Sequence, residues 1–104
     1  MSYAMHMRWP GITSEQYDEI LKRVRWEEEI PEGAILHVAA FDDEGARVFD
    51  LWESPEKFDA FVQSRLMPAI RSIGIESNPD VALVPVHRQF AVQTIESGVV
   101  AQPA

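Results

Sequence analysis

The stretch Ala34-Ile35-Leu36-His37-Val38-Ala39-Ala40-Phe41-Asp42-Asp43-Glu44-Gly45-Ala46-Arg47-Val48-Phe49-Asp50-Leu51-Trp52 decides the fold. Two apolar, β-prone runs flank an acidic segment that ends in glycine, which predicts a hairpin with strands over 34–41 and 46–52. Side chains alternate between the faces of a strand. Leu36, Val38, Phe49 and Leu51 therefore share one face, and Ile35, Ala39, Val48 and Trp52 share the other. Neither face is polar, so the hairpin belongs to a sheet that is covered on both sides.

Reading outward, residues 3–9 predict a first strand, stopped by the turn signal Pro10-Gly11. Thr13 is placed to cap a helix, with Gln16 three residues on to complete a capping box. Tyr17, Ile20, Leu21 and Val24 recur at helical spacing, and Glu15, Asp18, Glu19, Lys22 and Arg23 supply the solvated side. This helix is expected to run to about Glu29, because Pro31 cannot continue it. Beyond the hairpin, Ser54-Pro55-Glu56 opens a second helix with a serine cap and proline in the first turn. Its apolar stripe is Phe58, Phe61, Val62, Leu66 and Ile70. Pro68 is expected to kink it and Gly74 to end it. Residues 81–90 predict a fourth strand, and Pro85 inside it requires an edge position or a bulge.

The order strand, helix, strand, strand, helix, strand predicts an α+β, ferredoxin-like βαββαβ fold. It has a four-stranded antiparallel sheet in the order 4-1-3-2, with both helices on one face. Helices on one face leave the other apolar face open, and a second copy of the sheet is its simplest cover. A homodimer is the expectation. One domain spans 1–90, and the small and polar residues 91–104 form a C-terminal tail that this fold does not need.

Composition narrows the functions. The net charge of the 104 residues is −8, with nine basic residues, which disfavours phosphate backbones and hence nucleic-acid partners. No cysteine is present, which removes thiolate nucleophiles, disulfides and cysteine-ligated metals. No apolar run reaches membrane-spanning length and no leader-like segment opens the chain, so no membrane association and a cytoplasmic location are expected.

Arg8-Trp9-Pro10-Gly11 before the first helix, Val48-Phe49-Asp50-Leu51-Trp52-Glu53-Ser54 before the second, and Val84-Pro85-Val86-His87 in the last strand carry a resemblance. So does Trp52-Glu53-Ser54-Pro55-Glu56-Lys57-Phe58, which resembles a W-E-S-x-E-x-F junction. The chain resembles the dimeric α/β-barrel superfamily, in particular the small proteins similar to antibiotic-biosynthesis monooxygenases. The resemblance spans about residues 3–90 and implies the ferredoxin-like fold and the dimer. Its members include cofactor-free oxygenases, haem-degrading enzymes, isomerases and decarboxylases, so chemistry has to be argued from the site.

The candidate site follows from register. A hairpin loop of two or four residues sets His37 opposite Asp50, with Trp52 and Ile35 as the next pair; a three-residue loop separates them. A carboxylate beside an imidazole fixes its tautomer and raises its basicity, as a general base requires. The same pair also reads as a satisfied polar contact in a sheet or at a dimer interface. Trp52 is placed to stack on a flat ligand, and Tyr17, Phe58 and Phe61 either line a cavity with it or form plain core. His87 is a further ligand-binding candidate. His6, His37 and His87 on three strands invite a zinc reading, but no short ligand spacing supports it and the strand order separates His37 from His87. The second helix has no histidine, a departure from the haem-degrading members. No metal or cofactor is expected. Two functions compete: a cofactor-independent, monooxygenase-like enzyme acting on a small, flat, hydrophobic substrate, and a non-catalytic ligand-binding or accessory module.

Overall fold

Residues Ala34–Asp42 (β2) and Gly45–Trp52 (β3) pair as the expected hairpin, and Asp42 sets its register. In the computed structural model, which describes residues 1–92, its carboxylate accepts the Glu44 and Gly45 amides at 2.8 and 3.1 Å. It also accepts the Arg47 guanidinium at 2.6 Å. The Arg47 bond, followed by the Glu44 amide, holds this carboxyl down at about 2. The loop is therefore two residues long, Asp43 and Glu44, and His37 falls opposite Asp50. Gly45 has φ 147°, and a Cβ there would lie 2.4 Å from the Trp9 carbonyl oxygen, so the position admits only glycine.

Tyr3–Pro10 (β1) pairs antiparallel with β3 on one side and with Asp80–Pro85 (β4) on the other, giving the order β2-β3-β1-β4. This is the 4-1-3-2 sheet with β4 at an edge. β4 stops at Pro85 instead of reaching residue 90. Tyr3, the first residue of β1, is the partner of Pro85, so no strand lies beside residues further on, and proline donates no ladder bond. The hairpin also departs from the expected register at one end. A bulge at Ile35 pairs Ala34 with Trp52, so Ile35 is not the partner of Trp52 and sits exposed.

Ser14–Val24 (α1) begins with the expected capping box: Thr13 Oγ1 accepts the Gln16 amide and Gln16 Oε1 accepts the Thr13 amide. It ends five residues before Glu29. Arg25 turns left-handed at φ 56°, and the Arg65 guanidinium from the second helical segment donates to the Val24 and Arg25 carbonyls. The stop is thus a tertiary contact that no local signal announces. Ser54 caps Pro55–Phe61 (α2), a π-helical turn follows over Val62–Leu66, and Met67–Ser72 (α3) completes the layer. Pro68 was expected to kink this helix. The chain absorbs it by widening the preceding turn, in which the Met67 amide reaches back to the Val62 carbonyl.

The helices cover one face. Met5, Met7, Trp9, Val48 and Trp52 meet Ile20, Val24, Phe58, Phe61 and Ile70 there, and Trp52 and Ile70 are fully buried. Each such apolar side chain is worth about 2 kcal/mol of burial. The other face stays open: Leu36, Val38, Phe49 and Val84 are 36, 46, 44 and 55% exposed. No helix among the described residues is long and apolar enough to cross a membrane. Of the tail expected over 91–104, residues 93–104 lie outside the described residues.

Candidate active site

Strand alternation puts His37, Asp50 and Met5 in one row on the helix-covered face. There His37 Nδ1 lies 2.8 Å from Asp50 Oδ1, and the indole of Trp52 donates to Asp50 Oδ2 at 3.0 Å. Asp50 is the one charged residue of the described core, at 6% exposure. A buried carboxylate needs its oxygens satisfied, and these two N–H groups do so. As an acceptor-only group it draws the proton of His37 to Nδ1, which leaves Nε2 as the acceptor. Tyr17, from α1, fills that position: its Oη lies 2.6 Å from Nε2. Burial, followed by the charge of Asp50 and then of Asp18 and Glu27, pushes the Tyr17 phenol up to about 12. It is a neutral hydroxyl at physiological pH.

Trp26 lies over the imidazole, with ring centroids 4.6 Å apart and a 38° tilt. It is held edge-on against Trp52 at 5.9 Å and Phe61 at 5.4 Å. The Arg65 contacts that end α1 also fix the turn carrying Trp26. Sequence periodicity passed over this residue. Its one signal was a tryptophan immediately before Glu27-Glu28-Glu29, where a solvated turn has no use for one.

These groups border a cavity of about 60 Å³ between helices and sheet. Tyr17, His37, Asp50, Trp26, Phe58 and Phe61 line it, with Met5, Met7, Ile20 and Val48 among the remaining walls. Among the described residues Tyr17, His37 and Asp50 are its only ionisable lining; Trp9 and Trp26 add indole N–H groups, and that of Trp9 donates to Ser77 Oγ at 3.0 Å. Tyr17, Leu21, Trp26, His37 and Leu66 are the lining residues that also reach solvent, so the mouth lies among them. The volume admits about four waters and is well under the ~150 Å³ of a benzene-binding cavity, so an aromatic ring enters only as the mouth widens.

The sequence candidates thus divide. His37, Asp50, Tyr17, Phe58 and Phe61 come together. Trp52 stands behind Asp50 as its hydrogen-bond donor, outside the cavity wall, and the aromatic face over the imidazole belongs to Trp26. His87 is exposed beyond the end of β4 and is not among the cavity residues. His6 lies on the open face, stacked on Phe49 at 4.8 Å. Among the described residues no cluster of three or more His, Asp or Glu is arranged to hold a metal ion.

No protein-family model matches the sequence, and no curated protein matches it significantly. Solved structures do. A protein of unknown function from Nitrosomonas europaea superposes with a TM-score of 0.67 at 15% identity, over 89% of this chain and 96% of its own. SnoaB, a cofactor-independent oxygenase from Streptomyces nogalater, gives 0.60 at 10% identity, over 85 and 94%. An antibiotic biosynthesis monooxygenase candidate from Chloroflexus aurantiacus gives 0.55 at 18%, over 86 and 98%. The chain has the fold of the antibiotic-biosynthesis-monooxygenase-like proteins. At these identities the likeness to the monooxygenase-like fold is architectural, and site chemistry rests on this chain's own residues.

Proposed function

We propose that the protein is a cofactor-independent, monooxygenase-like enzyme that deprotonates a small, flat, hydrophobic substrate for reaction with O₂. The observation that supports this is the chain Asp50–His37–Tyr17, set in the wall of an otherwise apolar cavity. Such a cavity limits water and holds one base, His37, oriented by Asp50. The electrons come from the substrate: a CH₂ group and O₂ give a C=O group and water, one oxygen atom entering the substrate and the other leaving with both hydrogens. Tyr17, Phe58 and Phe61 would position the ring. The fold of SnoaB agrees with this reading.

A second copy covering the open sheet face belongs to the same proposal, since the exposed rows Leu36–Leu51 and Val38–Phe49 form one apolar patch. Its groove measures about 360 Å³. The competing reading, a non-catalytic binding module, draws on the smallness of the inner cavity. The test is a thermal-shift screen of phenolic and enolisable ring compounds that carry a ring CH₂ group, followed by O₂ consumption with each hit. Hits that consume O₂, with consumption lost in His37→Gln, support the enzyme. Hits bound without any turnover leave the binding module.

A further inference from the structure

Every donor in the site chain points the same way. Trp52 Nε1–H and His37 Nδ1–H both aim at the Asp50 carboxylate. The Tyr17 hydroxyl then gives its only hydrogen to His37 Nε2. Both imidazole nitrogens and both carboxylate oxygens are taken. Within this chain of four residues, what is left is the pair of acceptor positions on Tyr17 Oη.

We infer that Tyr17, not His37, is the catalytic residue that meets the substrate, and that its Oη accepts a hydrogen bond from a neutral O–H group of the ligand. This rests on the base reading of His37 and specifies how that base is reached. In the reacting step the substrate X–H gives its proton to Oη while the Oη proton passes to Nε2. The products are X⁻, a neutral tyrosine and an imidazolium held by the Asp50 carboxylate. The net charge is −1 before and after. Tyr17 never stands as a free tyrosinate, which agrees with a phenol pushed up to about 12.

The same arrangement sets ligand class. The cavity lining has no Lys or Arg, and Asp50 lies within it. Asp18 and Glu27 act on Tyr17 with the same sign. A carboxylate ligand meets like charge with no counterion, whereas a neutral phenol or enol supplies the donor that Oη lacks.

NMR titrations of the full chain with phenol, anisole and benzoate test this. Phenol is the smallest aromatic O–H donor and asks least widening of the mouth; anisole keeps its ring without the donor; benzoate adds the charge. Phenol should bind about fivefold to tenfold more tightly than anisole, and benzoate more weakly than both. Tyr17→Phe keeps the ring, and it should level phenol with anisole. Equal affinities in the unmodified protein, or an undiminished phenol preference in Tyr17→Phe, overturn the inference. The unmodified protein alone gives the first result even where the variant does not fold. With a turned-over substrate in hand, Tyr17→Phe should lose roughly 10²-fold in kcat. Full turnover in Tyr17→Phe with loss in His37→Gln overturns the role of Tyr17 and keeps the base, whereas unchanged turnover in His37→Gln overturns the base reading itself.

Discussion

Asp50→Asn should reverse the whole hydrogen-bond chain without unfolding the protein. Trp52 Nε1 can only donate, so the asparagine must turn its carbonyl oxygen to the indole 3.0 Å away. Its NH₂ then faces His37 Nδ1, 2.8 Å from the present acceptor. Nδ1 has to become an acceptor, the ring proton moves to Nε2, and Tyr17 Oη turns from donor to acceptor there. In stability, two bonds to a charge are exchanged for neutral ones, offset by removal of a buried charge, for a net loss of about 1 kcal/mol. In a domain of this size that lowers Tm by about 4–8 °C. In catalysis the effect is larger, because the nitrogen that must take a proton already carries one; turnover should drop roughly 10²–10⁴-fold. The assay is ¹⁵N-histidine NMR, which distinguishes the two tautomers directly. His37 should carry its hydrogen on Nδ1 in the unmodified protein and on Nε2 in Asp50→Asn. Retention of the Nδ1 hydrogen in the variant refutes the reasoning. The double variant with His37→Gln should lose little more turnover than either single one, since the two residues act as a unit.

Sedimentation equilibrium at micromolar concentration should give twice the chain mass. Phe49→Glu, placed on the open sheet face, should give a folded monomer, and a monomeric unmodified protein defeats the dimer proposal. One phenol should titrate at about pH 12 by its ultraviolet absorbance, and Tyr17→Phe should abolish that step. Because this pKa is raised by folding, its contribution is complete below about pH 10, the ordinary value, and is lost as pH rises through 12; unfolding measured across that window should show the decline, absent in Tyr17→Phe. Gly45→Ala should cost at least about 2 kcal/mol in denaturant unfolding, since its Cβ meets the backbone of Trp9 and Gly11 and neither can step aside; a neutral result would show that the hairpin corner relaxes.

Much of this molecule is readable residue by residue because its determinants are local. The hairpin register depends on Asp42 and a two-residue loop, so the pairing of His37 with Asp50 follows from five or six neighbouring residues. The Thr13–Gln16 box and the Ser54 cap are likewise contained in four-residue windows, and Pro85 speaks of an edge wherever it stands in a strand.

What the tertiary structure alone decided concerns groups far apart in the chain. Arg65 ends α1 forty residues away and thereby presents Trp26 to the imidazole. Missing strand partners beyond Tyr3 end β4 at Pro85 and leave His87 outside the cavity wall. The bulge at Ile35 gives Trp52 the partner Ala34 instead of Ile35. Above all, the helical spacing of Tyr17 is that of an ordinary core residue, and only the packing of α1 on β2 brings its hydroxyl to Nε2. Sequence periodicity states which face a side chain takes; which atom it meets there is fixed by how two elements dock, and the last proton acceptor of this site is settled at that contact.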